Sequence, residues 1–259
     1  MSRAEPDLSA FSLAGKRILV TGANTGIGQG IAISVARAGG SVIGVGRSAM
    51  DETGERIAAA GGRFAAVRFD LSDTASAGAM LDRVWDESGP LDGLVNNAGI
   101  IRRADAVELT EADWDDVMDV NLKAVFLLSQ SFARRVLAEP GRRGKIVNIA
   151  SVLSFQGGIR VASYTASKHG VLGVTRLLAC EWAQKGINVN AIAPGYIETS
   201  NTEALRADPD RSASILARIP AGRWGRPEDI GDAAVFLLAP ASDYMHGAAV
   251  AVDGGWLAR

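Results

Sequence analysis

The sequence has few of the residues that build cross-links or metal sites. It contains one cysteine, Cys180, and two histidines, His169 and His246, which lie far apart in the chain. One cysteine cannot form an internal disulfide, and neither histidine belongs to a pattern with cysteines or carboxylates that is typical of zinc ligands. We therefore expect no disulfide framework and no metal in the chemistry of this protein.

An excess of charge of one sign is also lacking. The chain carries 27 Lys and Arg residues against 29 Asp and Glu residues, which gives a net charge of −2. This balance gives no reason to expect nucleic acid or an anionic membrane as a partner. No apolar run reaches the roughly 18 residues of a membrane helix, and the first residues lack the apolar core of a signal peptide. We expect a cytoplasmic protein.

Short apolar runs alternate with helical patterns along the 259 residues. Buried strands are predicted at 18–20, 42–45, 65–69, 93–96, 146–149, 188–192 and 248–252. Such near-continuous hydrophobicity is typical of parallel strands covered by helices on both faces, and right-handed crossovers then give a doubly wound arrangement. We predict an α/β fold with one Rossmann domain over residues 1–259 and a seven-stranded parallel sheet.

One long stretch, from residue 194 to about 226, is predicted to be irregular. It carries the polar residues Arg206, Asp208, Asp210 and Arg211. Loops of this length in compact domains are usually functional or disordered. We interpret the stretch as a substrate flap, and a solvated surface loop is the alternative.

A tyrosine and a lysine mark the candidate catalytic segment. Tyr164 and Lys168 begin an apolar-periodic stretch, so a helix would project both from one face. Of the three tyrosines, only this one is followed by a lysine at that spacing. A phenol titrates near ~10, but a positive charge at about 4 Å is worth up to roughly 4 kcal/mol at an effective dielectric constant of about 20. We predict an acid–base tyrosine whose pKa the lysine lowers; an ordinary surface pair is the alternative.

A serine follows the predicted strand 146–149. This position puts the hydroxyl of Ser151 at the carboxyl edge of the sheet, where open α/β folds build their sites. Ser151 would there hydrogen-bond the substrate oxygen beside Tyr164. A serine that only caps a turn is the alternative.

A glycine turn near the amino terminus indicates what the proton transfer is coupled to. Gly22, Gly26 and Gly28 lie between a predicted strand and a helical pattern. Glycine allows the backbone to approach a pyrophosphate, and the helix amino terminus offers free N–H groups and a partial positive charge. The flanking strand and helix match the context that dinucleotide binding requires, whereas a turn that only serves packing is the alternative.

The end of the second predicted strand bears on the choice of dinucleotide. An acid there would accept hydrogen bonds from the ribose of NAD, whereas an arginine can pair with the 2′-phosphate of NADP. Gly46 occupies the place of the acid, and Arg47 follows it. The local chemistry therefore favours NADP, and use of both cofactors stays open.

Together these motifs resemble the short-chain dehydrogenase/reductase family over nearly the whole chain. The residues that carry the resemblance are Thr21, Gly22, Gly26, Gly28, the Asn-Asn-Ala-Gly segment 96–99, Asn121, Ser151, Tyr164, Lys168, Pro194 and Gly195. The resemblance implies hydride transfer between a nicotinamide and a secondary alcohol or ketone, with Asn121, Ser151, Tyr164 and Lys168 as catalytic residues. Asn121 would bind a water that links Lys168 to solvent; a helix-kinking or capping amide is the alternative.

The resemblance also implies a cofactor site along the carboxyl edge of the sheet. Its predicted residues are Gly22, Asn24, Thr25, Gly26, Ile27, Gly28, Arg47, Asp70, Leu71, Asn97, Ala98, Gly99, Tyr164, Lys168, Pro194, Gly195, Ile197 and Thr199. The branch of the family that the chain resembles most acts on sugar acids and typically uses NAD, which conflicts with Arg47. We expect NAD or NADP as cofactor, with a slight preference for NADP.

The predicted substrate is an anionic sugar acid, which needs a guanidinium and several hydrogen-bonding groups in its pocket. Candidate substrate residues are Arg102, Arg103, Gln156, Arg160, Tyr196 and Trp224. Trp224 would close the pocket or anchor the flap in the core. A reductase of acyl chains or other carbonyls is one alternative. A non-enzymatic dinucleotide sensor is another, which the intact catalytic positions disfavour.

A homotetramer is the expected assembly. Residues 256–259 read Trp-Leu-Ala-Arg and are apolar enough to dock on a neighbouring subunit. Tetramers built in this way are frequent in the family that the chain resembles. The assembly is therefore implied by the resemblance.

Overall fold

Seven strands form one parallel sheet in the computed structural model, which describes residues 7–259. The strands are β1 (Arg17–Thr21), β2 (Ser41–Gly46), β3 (Arg63–Arg68), β4 (Gly93–Asn96), β5 (Gly144–Ile149), β6 (Ile187–Pro194) and β7 (Ala249–Val252). They are ordered β3-β2-β1-β4-β5-β6-β7, and every neighbouring pair is parallel. The predicted α/β fold with a seven-stranded parallel sheet is confirmed, and each predicted strand end lies within two residues of the observed one.

Helices follow the strands and cover both faces of the sheet. They are α1 (Gly26–Arg37), α2 (Asp51–Ala59), α3 (Thr74–Ser88), α4 (Glu111–Met118), α5 (Ala124–Leu137), α6 (Ala162–Trp182), α7 (Ser200–Ala207), α8 (Pro209–Leu216) and α9 (Pro227–Leu238). A π-helical turn, Asp119–Lys123, joins α4 to α5. Across residues 7–259, no helix combines the length and the apolarity that a bilayer crossing requires.

The core lies on both faces of the sheet because alternate side chains of a strand point in opposite directions. Leu19 of β1 packs into the apolar cluster that also contains Phe132 of α5. Its neighbours Ile18 and Val20 pack into the opposite cluster, which contains Ile31 of α1. All of these side chains are at most 1% exposed. Burial on both faces explains why the five inner strands are hydrophobic, whereas the edge strands β3 and β7 are partly or fully exposed and were wrongly predicted to be buried.

The order of the strands positions the functional edge. The chain runs outward from β1 to β2 and β3, then returns to the other side of β1 and continues from β4 to β7. A crevice opens between the carboxyl ends of β1 and β4, where the direction of winding reverses. The segments that follow these strands therefore converge at one edge of the sheet.

The stretch 194–226 is not irregular, and that prediction is wrong. It contains α7 and α8. The carboxylate of Asp208 accepts hydrogen bonds from the backbone N–H groups of Asp210 and Arg211, and Pro209 occupies the first position of α8. Asp followed by Pro is a helix-start sequence, so the polar residues cap a helix rather than line a loop.

Helices α1 and α9 pack backbone against backbone at two glycines. A Cβ atom on Gly231 would lie 2.4 Å from Ser34 Oγ and 2.8 Å from the Gly30 carbonyl oxygen. We expect Gly231→Ala to lower the free energy of unfolding by roughly 1–3 kcal/mol, because the helices must move apart. Alanine's better helix propensity, about 1 kcal/mol, offsets only part of this loss. Denaturant-induced unfolding would measure the change.

Gly78→Ala in α3 is the matched control for this substitution. A Cβ atom on Gly78 would meet only Ser131 Cβ, at 3.9 Å, which is ordinary contact. The control should be neutral or stabilise the fold by up to about 1 kcal/mol. Equal effects of the two substitutions would contradict the tight packing of α1 on α9.

Candidate active site

The glycine turn after β1 has the backbone shape that a pyrophosphate site needs. Gly22 and Gly26 have φ angles of +68° and +55°, which side-chain-bearing residues rarely adopt. A Cβ atom on Gly28 would lie 2.1 Å from the Gly22 carbonyl oxygen. Helix α1 begins at Gly26, and within residues 7–259 no side chain caps its first N–H groups. These free N–H groups and the open backbone fit a dinucleotide phosphate.

Asn97 holds the glycine turn against β4. Its Nδ2 donates to the Thr21 carbonyl oxygen at 2.8 Å, and its backbone N–H donates to Thr21 Oγ1 at 3.0 Å. The backbone N–H of Ala98 donates to the same hydroxyl at 3.0 Å. Asn97 thus braces the two strands that form the crevice and also lines it.

A cleft of about 830 Å³ runs along the carboxyl edge of the sheet. All of the predicted cofactor residues except Lys168 line it. The cleft continues from the glycine turn past Ser151 and Tyr164 to the segment that carries α7 and α8. One continuous space therefore joins the expected dinucleotide site to the catalytic segment and to the predicted flap.

An exposed arginine and polar groups lie at the end of β2. Arg47 and Ser48 are exposed there, and Asn24 Nδ2 donates to Ser48 Oγ at 2.8 Å. The backbone N–H of Ser72 lowers the pKa of the Asp70 carboxyl, and the nearby charge of Arg47 lowers it further. This end of the cleft thus combines a cation with hydroxyl and amide groups.

Strand β5 and helix α6 bring the candidate catalytic hydroxyls together. Ser151 follows β5, and its Oγ accepts a hydrogen bond from the Leu153 backbone N–H at 3.1 Å. Tyr164 lies in the first turn of α6. Burial raises the pKa of Tyr164 above its ordinary value, and this outweighs the lowering by a hydrogen bond with Ser151 and by the charge of Arg103. In this structure Tyr164 is therefore protonated at neutral pH.

Lys168 lies behind Tyr164 and not in the cleft. It is 4% exposed, and its Nζ donates to the Ile149 carbonyl oxygen at 2.6 Å. Its Nζ lies 5.6 Å from the centre of the Tyr164 ring. Burial lowers the pKa of Lys168 to about 8. The predicted lowering of the Tyr164 pKa is wrong for this structure, because burial dominates the phenol and the ammonium is directed at a backbone carbonyl.

Asn121 lies in the π-helical turn between α4 and α5. Its Oδ1 accepts from the Ile100 backbone N–H at 2.8 Å, and its Nδ2 donates to the Ile100 carbonyl oxygen at 3.0 Å and to Ser167 Oγ at 3.3 Å. A Cβ atom on Gly99 would lie 3.2 Å from Asn121 Oδ1 and 3.8 Å from Lys168 Nζ. Asn121 thus ties the segment after β4 to α6, and the absent side chain at Gly99 lets the backbone lie close to the Asn121 amide.

The six candidate substrate residues do not all reach the cleft. Those that line it are Arg102, Arg103, Gln156 and Tyr196. Arg160 pairs instead with Asp105 at the surface, with 3.2 Å between Nε and Oδ1. Trp224 is 8% exposed and packs edge-on against Tyr196, with 5.6 Å between ring centres. Arg160 therefore does not line the cleft, contrary to the prediction, and for Trp224 the structure favours the alternative in which it anchors the flap in the core.

The two arginines after β4 differ in their contacts. Arg102 is paired with Asp113 at 3.2 Å and with Asp116 at 3.0 Å, so carboxylates of α4 already balance its charge. Arg103 donates through Nη2 to the Asn201 carbonyl oxygen at 3.2 Å. Its charge also acts on the Tyr164 phenol. Arg103 is therefore the one of these two that faces the catalytic segment.

Sequence reasoning missed the residues that the flap helices and the carboxyl terminus bring to the cleft. They are Ser200, Asn201, Thr202, Leu205, Arg211, Arg218 and Trp256. No local signal pairs Arg211 with Arg218, because Arg211 lies on α8 and Arg218 lies beyond the end of that helix. Trp256 is 4% exposed and packs on Tyr196 of its own chain, 4.7 Å between ring centres, and contact of the terminal segment 256–259 with another subunit stays a prediction.

Known proteins with similar sequences match nearly the whole chain. A family model described as enoyl-(acyl carrier protein) reductase matches residues 22–257. The chain is 57% identical to the 2-dehydro-3-deoxy-D-gluconate 5-dehydrogenase of Dickeya dadantii, over 97% of this chain and 99% of that protein. It is 58% identical to the protein of that name from Escherichia coli, with the same coverage.

Solved structures agree in fold over nearly the full length. One is described as a putative 2-deoxy-D-gluconate 3-dehydrogenase from Agrobacterium tumefaciens with bound NADP. It is 63% identical to this chain, with a TM-score of 0.92 and coverage of 96% of this chain and 99% of that chain. Together with the glycine turn and the Ser151, Tyr164 and Lys168 segment, these matches show that the chain belongs to the short-chain dehydrogenase/reductase family.

Proposed function

We propose that this protein is an NAD(P)-dependent oxidoreductase that interconverts a secondary alcohol and a ketone on a sugar acid. Substrates of this class are 2-deoxy-D-gluconate and 2-dehydro-3-deoxy-D-gluconate, the compounds in the names of its relatives. One observation carries the proposal. The Ser151 and Tyr164 hydroxyls lie in the same cleft as a group of arginines that could bind an anionic substrate.

The charge of the cleft supports an anionic substrate. Five arginines line it, against two aspartates, Asp70 and Asp116. Three of the arginines, Arg103, Arg211 and Arg218, border the substrate side. An acyl reductase would instead need a long apolar groove there, and a dinucleotide sensor would need no catalytic pair.

The proton chemistry follows from the state of Tyr164. Its raised pKa keeps the phenol protonated at neutral pH, so it can donate a proton to the carbonyl oxygen when a ketone is reduced. Ser151 would hydrogen-bond the same oxygen and stabilise the charge that develops on it. A bound nicotinamide would supply or accept the hydride. In the oxidative direction Tyr164 acts as the base and must first lose its proton.

Lys168 and Asn121 would serve the proton path behind Tyr164. With a pKa of about 8, Lys168 is charged at neutral pH and loses its proton more readily than an exposed lysine. Asn121 Oδ1 and Lys168 Nζ both lie near Gly99, since a Cβ atom there would be 3.2 Å and 3.8 Å from them. The role that we propose for Asn121, following the family resemblance, is to hold a water that links Lys168 to solvent.

The cofactor site supports NADP more than NAD. The glycine turn would hold the pyrophosphate, and Arg47 would pair with the 2′-phosphate, since no acid stands at the end of β2. The remaining cofactor residues would surround the adenine and nicotinamide halves, with Thr199 at the carboxamide. The homotetrameric assembly and the cytoplasmic location stay predictions from the sequence and the family.

The proposal is tested by nicotinamide absorbance with purified protein, NAD and NADP. We expect turnover of 2-deoxygluconate and 2-dehydro-3-deoxygluconate, because their carboxylates complement the arginines of the cleft. Gluconate and simple polyols should be poorer substrates, and the rate should be higher with NADP. Turnover of acyl or apolar carbonyl compounds with none of the sugar acids would contradict the proposed substrate class.

The raised pKa of Tyr164 predicts different pH dependences for reduction of the ketone and oxidation of the alcohol. Reduction uses the protonated phenol and should be nearly constant from pH 6 to 8. Oxidation needs the phenolate, so its kcat/KM should rise by up to about tenfold per pH unit between pH 7 and 9. Tyr164→Phe should lose roughly 100-fold or more in turnover and lose this rise, while it binds dinucleotide normally. An unchanged pH profile in Tyr164→Phe would remove Tyr164 from the mechanism.

Cofactor preference is tested at the end of β2. Arg47→Ala should raise the KM for NADP roughly 10- to 100-fold, because a charge-assisted contact to the phosphate is lost. The KM for NAD should change less than about threefold. Arg68→Ala at the exposed end of β3 removes the same charge outside the cleft and should change neither constant. An equal rise in the KM values for NADP and NAD in Arg47→Ala would show that Arg47 does not bind the 2′-phosphate.

A further inference from the structure

A flap arginine is stacked on an aromatic ring inside the cleft. Trp256 belongs to the short turn Trp256–Ala258 that follows β7, and it lines the cleft although it is 4% exposed. The Cζ atom of Arg218 lies 4.0 Å from the centre of the Trp256 ring. A guanidinium that rests on an aromatic face keeps its N–H donors available for an anion.

The Trp256 ring belongs to an apolar cluster that packs beside the catalytic segment. It packs on the Tyr196 ring at 4.7 Å between centres, and both belong to an apolar cluster with Val152. Val152 directly follows Ser151 in the chain. Arg218 and Ser151 therefore line the same cleft, and the apolar cluster of Trp256, Tyr196 and Val152 packs beside it.

The carboxyl terminus also holds the backbone that carries Arg218. Arg259 Nη2 donates to the Ala217 carbonyl oxygen at 2.6 Å. Asp253 shapes the turn, because its carboxylate accepts from the backbone N–H groups of Gly255 at 2.8 Å and Leu257 at 2.9 Å. The terminal segment thus contacts this part of the chain twice: Trp256 stacks on the Arg218 guanidinium, and Arg259 binds the carbonyl oxygen of the preceding residue, Ala217.

Arg218 and Trp256 present donors that the chain does not use. Within residues 7–259 the Arg218 side chain forms neither an ion pair nor a hydrogen bond, whereas Arg102, Arg160 and Arg223 are each paired with an aspartate. The indole Nε1 of Trp256 is buried without a partner in the same part of the chain. Buried donors are normally satisfied, so the unpaired indole N–H of Trp256 indicates a missing acceptor, and the exposed guanidinium of Arg218 beside it is open to an anion that enters the cleft.

We propose that Arg218, stacked on Trp256, binds the carboxylate of the substrate and selects acids over neutral sugars. The inference rests on the proposed function, which places the reacting oxygen at Ser151 and Tyr164. The carboxylate at the other end of the carbon chain would then reach Arg218 and Trp256, on the other side of Val152. Arg103, whose charge acts on Tyr164, borders the reacting end instead.

The variant Arg218→Gln tests this selection through a ratio of two substrates. The first substrate is 2-deoxy-D-gluconate and the second is its neutral carboxamide. We expect the ratio of their kcat/KM values to fall by roughly 10- to 100-fold, because the charge-assisted contact is lost. The kcat/KM for the carboxamide should change less than about threefold. A merely structural role would lower both values together and leave the ratio unchanged, and that result overturns the proposal.

Two further variants separate charge from packing. Arg206→Gln in α7 removes an arginine of the same segment that does not line the cleft, and it should leave the ratio unchanged. Trp256→Phe keeps an aromatic face but removes the indole N–H, so the ratio should fall by a smaller factor, about three- to tenfold. A fall in Arg206→Gln as large as in Arg218→Gln would also overturn the proposal. If Arg218→Gln does not fold, Arg218→Lys tests the site with its charge kept, and it should lower the ratio less than tenfold.

A binding measurement tests the carboxylate site separately from the proposed reaction. Calorimetry would titrate 2-deoxy-D-gluconate into the wild type and Arg218→Gln, each loaded with NADPH. Affinity should fall by the same factor as the kinetic ratio, even if the wild type turns over neither compound and the proposed reaction is wrong. Equal affinities, or no binding to the wild type, overturn the carboxylate site.

Discussion

The parallel pairing of β1 with β4, and of β4 with β5, is the constraint on which the site depends. Parallel strands direct all their carboxyl ends to one edge, so the glycine turn, Asn97 and Ser151 meet there although they are far apart in the chain. The bonds from Asn97 to Thr21 hold the crevice at the reversal of winding. A shift of register between these strands would move the glycine turn relative to the catalytic segment.

Burial, more than proximity of charges, determines the protonation of the catalytic groups. It raises the pKa of Tyr164 and lowers the pKa of Lys168, since both charged forms lose solvation. The Lys168 ammonium is compensated by the Ile149 carbonyl oxygen at the end of β5. The free protein is thereby prepared to donate a proton, which is the reductive half of the chemistry.

Much of the proposed substrate side is assembled from the last third of the chain. Helix α8 presents Arg211 and the residues that lead to Arg218, and the turn after β7 places Trp256 beneath Arg218. Short-chain dehydrogenases share their sheet and their hydroxyl pair, so differences of substrate must arise in such segments. In this chain the turn after β7 packs Trp256 against the cleft, where its ring supports Arg218.

The sequence by itself determined the fold, the glycine turn and the spacing of Tyr164 and Lys168, because these depend on local periodicity and on conformations that only glycine adopts. Only the tertiary structure decided that Arg160 turns to Asp105, that Trp224 and Trp256 are buried, and that burial governs the Tyr164 pKa. The physical reason is that side-chain direction and desolvation depend on residues distant in sequence. The start of α8 is an exception, because the adjacent Asp208 and Pro209 are a local helix-start signal in the sequence.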